Sequence, residues 1–348
     1  LIKKANLFGG KYMERYAKQI LFDKIGNLGQ EKLLASKVVV IGCGALGTVI
    51  ANNLARTGVG YIKIVDRDYI ELSNLQRQIL FDEDDMANSL PKAIAAQNKL
   101  RKINSSITIE GIITDVNPKN IIEICKGMDL ILDATDNFNI RYLINDVSIK
   151  LGIPWIYGGA VGSMGMTHTI IPGETPCFRC IMPEIPPAGS VDTCDMVGVL
   201  NSIINIVASY QTTEAIKLLI GEKEELIRGV RYIDVWNNDF ETIEKRKKEN
   251  CPACSQKHLE FLNHEAEDAV YLCGKDSVQV NPMNKGISAE SLIQRLEASN
   301  INVKKNQFYI KFQVEDVQTT LFYDGRAILK NISDVNQAKS FYARYIGL

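Results

Sequence analysis

Four cysteines fall in two Cys-x-x-Cys pairs, Cys177-Phe178-Arg179-Cys180 and Cys251-Pro252-Ala253-Cys254, 71 residues apart (251 − 180). Four thiolates close a tetrahedral zinc site and leave no open position, so the metal expected is a structural Zn2+. A second set of residues suits phosphate chemistry. Gly42-Cys43-Gly44-Ala45-Leu46-Gly47 follows an apolar run at 37–41. In such a loop Gly42 permits the tight turn, Gly44 lets backbone approach a phosphate, and Gly47 packs helix on strand. The helix that follows offers free N–H groups to an anion. Asp66, at the end of the next strand, is placed to hold ribose hydroxyls. The loop alone leaves NAD and ATP both open.

The residues beyond it favour a triphosphate. Asn74, Gln76 and Arg77 come just after the ribose acid, then Lys92, then Asp136-Asn137 at the end of a later strand. In a doubly wound sheet those strand ends line one crevice. Arg77 and Lys92 can neutralise phosphates, and Asp136 can hold Mg2+. Hydride transfer needs none of these specifically, so an NAD(P)-dependent oxidoreductase is the weaker alternative.

The three histidines, His168, His258 and His264, lie away from these motifs. That argues against a Ser/His or Cys/His hydrolase. A nucleophile already ionised needs no general base. A carboxylate attacking the α-phosphate of ATP is such a case, and it asks for alignment and charge neutralisation. Cys194, in the run 191–199, stands at the start of an expected helix, which would favour its thiolate. Cys43, Cys125 and Cys273 read as buried small apolar residues.

The elements that must position these residues alternate. Helical spacing covers 14–35 with glycine breaks. A strand at 38–41, a helix at 46–57 and a strand at 61–66 make one βαβ unit. A helix follows over 89–103, with Ser89 as its cap and Pro91 in the first turn. Strands are expected at 107–114, 129–135 and 154–162, with helices at 118–126 and 140–152. The fold class is therefore α/β, a doubly wound, Rossmann-like, mainly parallel sheet. After Gly158 two strands flank one long helix. The stretch 183–194 is rich in Pro and Gly and expected to be mobile. The run 196–220 is the most apolar long one, but its polar residues make it a buried helix rather than a membrane span. Residues 240–258 read as a charged linker. Beyond them a small α+β domain has a Ser288-capped helix, an Asp324-Gly325 hairpin and a final helix capped at Ser333.

Composition sets limits. A net charge of −1 gives no global field to recruit DNA or an anionic membrane. Residues 1–12 lack the apolar core of a signal peptide, and paired cysteines without such a signal favour metal over disulfides. Cytoplasm is the expected compartment.

Together "GCGALG", "VDRD", "SNLQRQ", "LPKA", "DATDN", the paired "CFRC…CPAC" and "TCDMVGV" resemble the ThiF/MoeB/HesA adenylyltransferases, relatives of the ubiquitin-activating enzymes. The resemblance runs from about residue 14 to 256. It implies an adenylation domain over 14–258, a small C-terminal domain over 259–348, and a disordered or non-native leader at 1–13. The extension is similar to that of Bacillus-type thiazole-biosynthesis ThiF proteins. The implied reaction adenylates the C-terminal glycine of a ubiquitin-like sulfur-carrier protein ending in Gly-Gly, with MgATP consumed and pyrophosphate released. The sulfur then serves thiamin or molybdopterin synthesis.

Carried onto this chain, the resemblance gives ribose binding to Asp66, phosphate contacts to Asn74, Arg77 and Lys92, and Mg2+ to Asp136. Ala45, Asp68 and Ser73, inside the same motifs, join the nucleotide set. Cys194 matches a cysteine that joins covalent sulfur chemistry in some members. The family is typically a homodimer in which an N-terminal Arg reaches the neighbour's ATP. Here Lys18 stands at that position, and Arg15 lies three residues earlier on the same helical face. Adenylation of a peptide or tRNA by the same site is the alternative within the family.

Overall fold

Val38, Val39, Val40 and Ile41 are all buried, as a central strand covered on both faces requires. This strand, β1 (Lys37–Ile41), lies in an eight-stranded sheet with β2 (Tyr61–Asp66), β3 (Thr108–Ile113), β4 (Leu130–Asp133), β5 (Trp155–Val161), β6 (Met164–Ile170), β7 (Val230–Asp234) and β8 (Asp239–Ile243). The order is β3-β2-β1-β4-β5-β6-β7-β8. The first five strands pair in parallel, and β6 to β8 extend the sheet antiparallel. The computed structural model describes residues 13–186, 194–264, 268–272, 276–281 and 288–347.

Side-chain alternation along β1 feeds two cores. Val38 and Val40 pack with the helices Ala45–Thr57, Lys92–Ile103 and Asn201–Ile220. Val39 and Ile41 pack on the opposite face with the helices Ile121–Cys125 and Phe138–Leu151. The chain winds to β2 and β3 on one side of β1, then crosses to β4 and β5 on the other. The switch point between β1 and β4 is where a crevice must open at the strand ends.

The chain divides into two units, Leu1–His264 and Glu265–Leu348. The helix Glu260–Asn263 belongs with the first: Phe261 stacks on Tyr142 at 4.8 Å. The second unit is an antiparallel sheet of β9 (Ala269–Leu272), β10 (Ser277–Val280), β11 (Val303–Lys305), β12 (Tyr309–Val314), β13 (Val317–Phe322) and β14 (Ala327–Lys330), in the order β11-β12-β13-β14-β10-β9. Leu292 and Leu296 of the helix Ala289–Ala298, and Ala338 and Tyr342 of the helix Val335–Tyr345, share its core with Val278, Ile310 and Leu329.

Several local expectations shift. Pro91, not Ser89, is the N-cap of Lys92–Ile103, and Ser89 turns the chain with φ +51°. Asp334, not Ser333, caps the last helix, its carboxylate accepting from Gln337 N. Ser288 caps its helix as expected, accepting from Ser291 N. Part of the expected charged linker forms β8, an edge strand exposed along its whole length. The leader 1–12, most of the Pro/Gly-rich stretch (187–193) and Cys273 lie outside the described residues.

Candidate functional site

The glycine loop sits where β1 meets the Ala45–Thr57 helix, and each glycine meets a different constraint. Gly42 has φ +93°, and a Cβ there would lie 2.5 Å from the Ala134 carbonyl oxygen, at the end of β4. A Cβ on Gly47 would lie 2.1 Å from the Gly42 carbonyl. Both positions exclude any side chain. At Gly44 the nearest atom to a Cβ is the Gln78 side-chain nitrogen, at 3.9 Å. Gly44 is the N-cap of the helix and Ala45 its first residue, with no side chain capping the first N–H groups.

Asp66 ends β2 beside this turn. Its Oδ2 accepts from Cys43 N at 2.6 Å and its Oδ1 from Asp68 N at 2.7 Å. Burial pushes its pKa up, against the pull of Lys92, and the net shift is upward. Lys92 opens its helix with a buried side chain, its Nζ 3.2 Å from Asp68 Oδ2. Burial alone would pull its pKa down. Asp68, Asp66 and Asp136 outweigh that and raise it, so the buried ammonium stays charged.

Residues 71–78 form a tight turn that brings Gln78 beside Gly44. Asn74 is buried in a one-turn helix, its Oδ1 accepting from Glu71 N at 3.1 Å. Arg77 donates from Nη1 to the Ser73 carbonyl at 2.8 Å and makes no ion pair among the described residues. Ser73 and Gln76 are exposed. Across the crevice Asp136 is exposed just after β4, and Asn137 caps the next helix, accepting from Ile140 N at 3.3 Å. Asp136 is near enough to Lys92, Arg67 and Arg141 to raise all three. The structure thus brings the Gly loop, Asp66, Asp68, Lys92 and Asp136 to one set of strand ends.

Two features escape sequence reading. Gln78, one residue beyond Arg77 in "SNLQRQ", is buried beside Gly44, and its Oε1 has no hydrogen-bond partner. Its place in the motif was the available signal. The second is a buried pair, Asp133 and Arg141, at the end of β4.

Near the N-terminus Arg15 is engaged within its own chain, donating from Nη1 to the Ile103 carbonyl at 2.9 Å. Lys18 is exposed. Cys194 opens a helix only four residues long, Cys194–Val197, closed by Gly198 at φ +75°. The long helix starts at Asn201 instead. Cys194 thus stands at a helix start, as expected, but of a short helix separate from the long one. Cys43 and Cys125 are buried and their thiols are pushed up by burial, Cys125 to about 12.

The four paired cysteines converge with their Sγ atoms all within 4.8 Å of one another. Cys177 Sγ lies 3.6 Å from Cys251 Sγ, and Cys180 Sγ 3.5 Å from Cys254 Sγ. Cys177 and Cys180 are 3.8 Å apart. Zn–S bonds of about 2.3 Å in a tetrahedron separate sulfurs by about 3.8 Å. A disulfide needs about 2.05 Å. The cluster fits zinc. Lys248 N points at Cys180 Sγ at 3.4 Å, and buried His168 contacts the Pro176 carbonyl just before Cys177. Among the described residues no helix is long and apolar enough to cross a membrane.

A model of the ThiF family matches residues 16–253. The chain is 42% identical over 337 residues to the sulfur carrier protein ThiS adenylyltransferase of Bacillus subtilis, covering 96% of this chain and 99% of that one. It is 39% identical over 244 residues to the SAMP-activating enzyme E1 of Haloferax volcanii, covering 70% of this chain and 89% of that one. Among solved structures, E. coli MccB with AMPCPP and MccA matches with a TM-score of 0.61 at 26% identity, covering 69% of this chain and 74% of that chain.

Proposed function

The chain belongs to the ThiF family, and from that premise we propose that it is an adenylyltransferase activating the C-terminal glycine carboxylate of a ubiquitin-like sulfur-carrier protein. The observation that carries this is the buried, cationic Lys92 at the open Gly44–Ala45 helix start, with exposed Asp136 opposite. Bound MgATP supplies the electrophilic α-phosphorus and the pyrophosphate leaving group. The chain's residues bind, orient and neutralise. Asp66 receives ribose hydroxyls on the remaining lone pairs of its two oxygens. Backbone N–H groups at Gly44–Ala45, with Asn74, Arg77 and Lys92, hold the phosphates. Asp136 is a hard-oxygen donor at the mouth of the crevice, the kind of ligand Mg2+ takes alongside phosphates and water. The carrier's terminal carboxylate is ionised at neutral pH, its pKa being about 3.5. No general base is needed, which agrees with the absence of histidine from this crevice among the described residues.

Cys177, Cys180, Cys251 and Cys254 hold a structural Zn2+ that ties the segment after β8 to the sheet domain. A four-thiolate site needs reduced cysteines, which supports a cytoplasmic setting. We assign a homodimer as the working form. Leu21 and Phe22, in the turn between the helices Ala17–Ile20 and Gly26–Ala35, and Leu28 on the second are exposed, apolar surface that a second copy would cover. Lys18 lies beside it and is the residue available to reach a neighbour's nucleotide. The relative covering nearly the whole chain is a ThiS adenylyltransferase, which favours a thiazole-pathway carrier. Incubation with MgATP and a ThiS-type carrier should yield carrier carboxyl-AMP by intact mass. A carrier whose C-terminal carboxylate is blocked as the amide should yield none. Equal modification of both would end the carboxylate reading.

A further inference from the structure

Behind the loop that presents Asp136 lies a charge pair with no part in the reaction so far. Asp133, the last residue of β4, is wholly buried. Its Oδ1 accepts from Thr135 N at 2.9 Å and from Thr135 Oγ1 at 2.7 Å. Arg141, in the first turn of the Phe138–Leu151 helix, donates from Nη2 to the Thr135 carbonyl at 2.7 Å and reaches the Gly158 carbonyl at 3.4 Å. Thr135 is thus held at its amide, its hydroxyl and its carbonyl, and Asp136 is the next residue. Gln211 Nε2 fixes the frame from the far side, donating to the Asp133 carbonyl at 2.8 Å. The Arg141 guanidinium lies over the rings of Phe138 and Tyr157, at 5.1 and 5.2 Å.

The pair is poorly built for stability. Asp133 Oδ2 and Arg141 Nε stand 3.3 Å apart, close enough for an ion pair but poorly aligned as a hydrogen bond. A buried pair of that kind rarely outperforms apolar packing of the same volume. Its contacts converge instead on one residue, Thr135, whose carbonyl belongs to the peptide that leads into Asp136. Ala134, between Asp133 and Thr135, touches the Gly42 turn. The same clamp therefore sets the spacing of Asp136 from the glycine loop.

We propose that Asp133 and Arg141 are positioning residues for the divalent cation: they lock the Thr135–Asp136 loop so that the Asp136 carboxylate meets a magnesium–nucleotide complex without reordering. This rests on the reading of Asp136 as the magnesium-positioning carboxylate. Partners that orient a ligating carboxylate are worth on the order of 10- to 100-fold in metal affinity.

The test is calorimetric binding of AMPCPP to the full chain, with and without Mg2+. The variant Asp133→Asn/Arg141→Met removes both charges together, leaving no orphan ion, and Asn keeps an oxygen for Thr135 N. Arg141→Lys keeps the charge, loses the fork, and carries the comparison if the double variant does not fold. Magnesium-free affinity should be unchanged in both. The gain on adding Mg2+ should shrink on the order of 10- to 100-fold in the double variant, and less in Arg141→Lys. A merely structural role would not separate these two affinities. A full wild-type gain in the variants overturns the proposal. Asp136→Asn in parallel tells the two readings apart. If it loses the gain while the pair variants keep it, only the positioning role fails. If it also keeps the gain, the magnesium reading of Asp136 fails with it.

Discussion

Gly44 and Gly47 have different roles, and their surroundings differ accordingly. The first faces open space and the second is pressed against a carbonyl. Gly44→Ala should fold, because the nearest atom to the added Cβ lies 3.9 Å away. It should still weaken ATP binding roughly tenfold, the worth of about 1.4 kcal/mol of lost phosphate contact. Calorimetry on the folded variant checks both; unchanged ATP affinity would mean the phosphates lie elsewhere. At this scale the spacing of glycines, acids and cations was readable because each residue type has one use there. Gln78 and the Asp133–Arg141 pair were not. Their meaning is burial and an unpaired atom, which only the packed neighbours create.

The cysteine pairs lie on separate elements, and the elements bring them together. The Cys177–Cys180 pair brackets the short helix Phe178–Ile181, pinned when Phe178 N donates to Asn145 Oδ1 at 2.8 Å. Cys177→Ser should lose zinc by metal analysis and cost about 4 kcal/mol or more of stability by calorimetry, as loss of a structural metal does. Full zinc content in that variant would contradict the site. Next to Asn145, Asp146 accepts from Phe261 N and Leu262 N at the start of the Glu260–Asn263 helix. Burial raises its carboxyl to about 6 despite those bonds. Unfolded, it would titrate near 4. Between those values the native state holds the extra proton, so this group's contribution to stability is present at low pH and lost as pH rises from about 4 to 6. Asp146→Asn should flatten that part of the stability–pH curve, and an identical slope would show the assignment wrong. The parallel strands and long helices were legible because their apolar periods are strong. The edge strand β8 was not, since every residue in it is exposed and no apolar alternation marks it. The cap at Asp334 was misplaced because Ser333 beside it is an equally good cap residue, and Pro91 was passed over because it caps with no side-chain hydrogen bond.

Across the whole molecule, the Gly loop, Asp66, Lys92 and Asp136 stand at the switch point of the sheet domain. A dimer is the predicted working state, and light scattering should give twice the chain mass. A charged residue at Phe22 should return a monomer. The central claim is that this crevice activates a carboxylate with ATP, reversibly and by charge neutralisation. ATP–pyrophosphate exchange tests it most directly, with zinc-loaded protein, a purified carrier ending in Gly-Gly, and Arg77→Ala alongside. The account predicts exchange only when the carrier is present, reduced roughly 10²- to 10³-fold in the variant, the scale of losing one fixed charge-stabilising group. Exchange without a carrier, or no exchange from protein that still binds MgATP and the carrier, would contradict it.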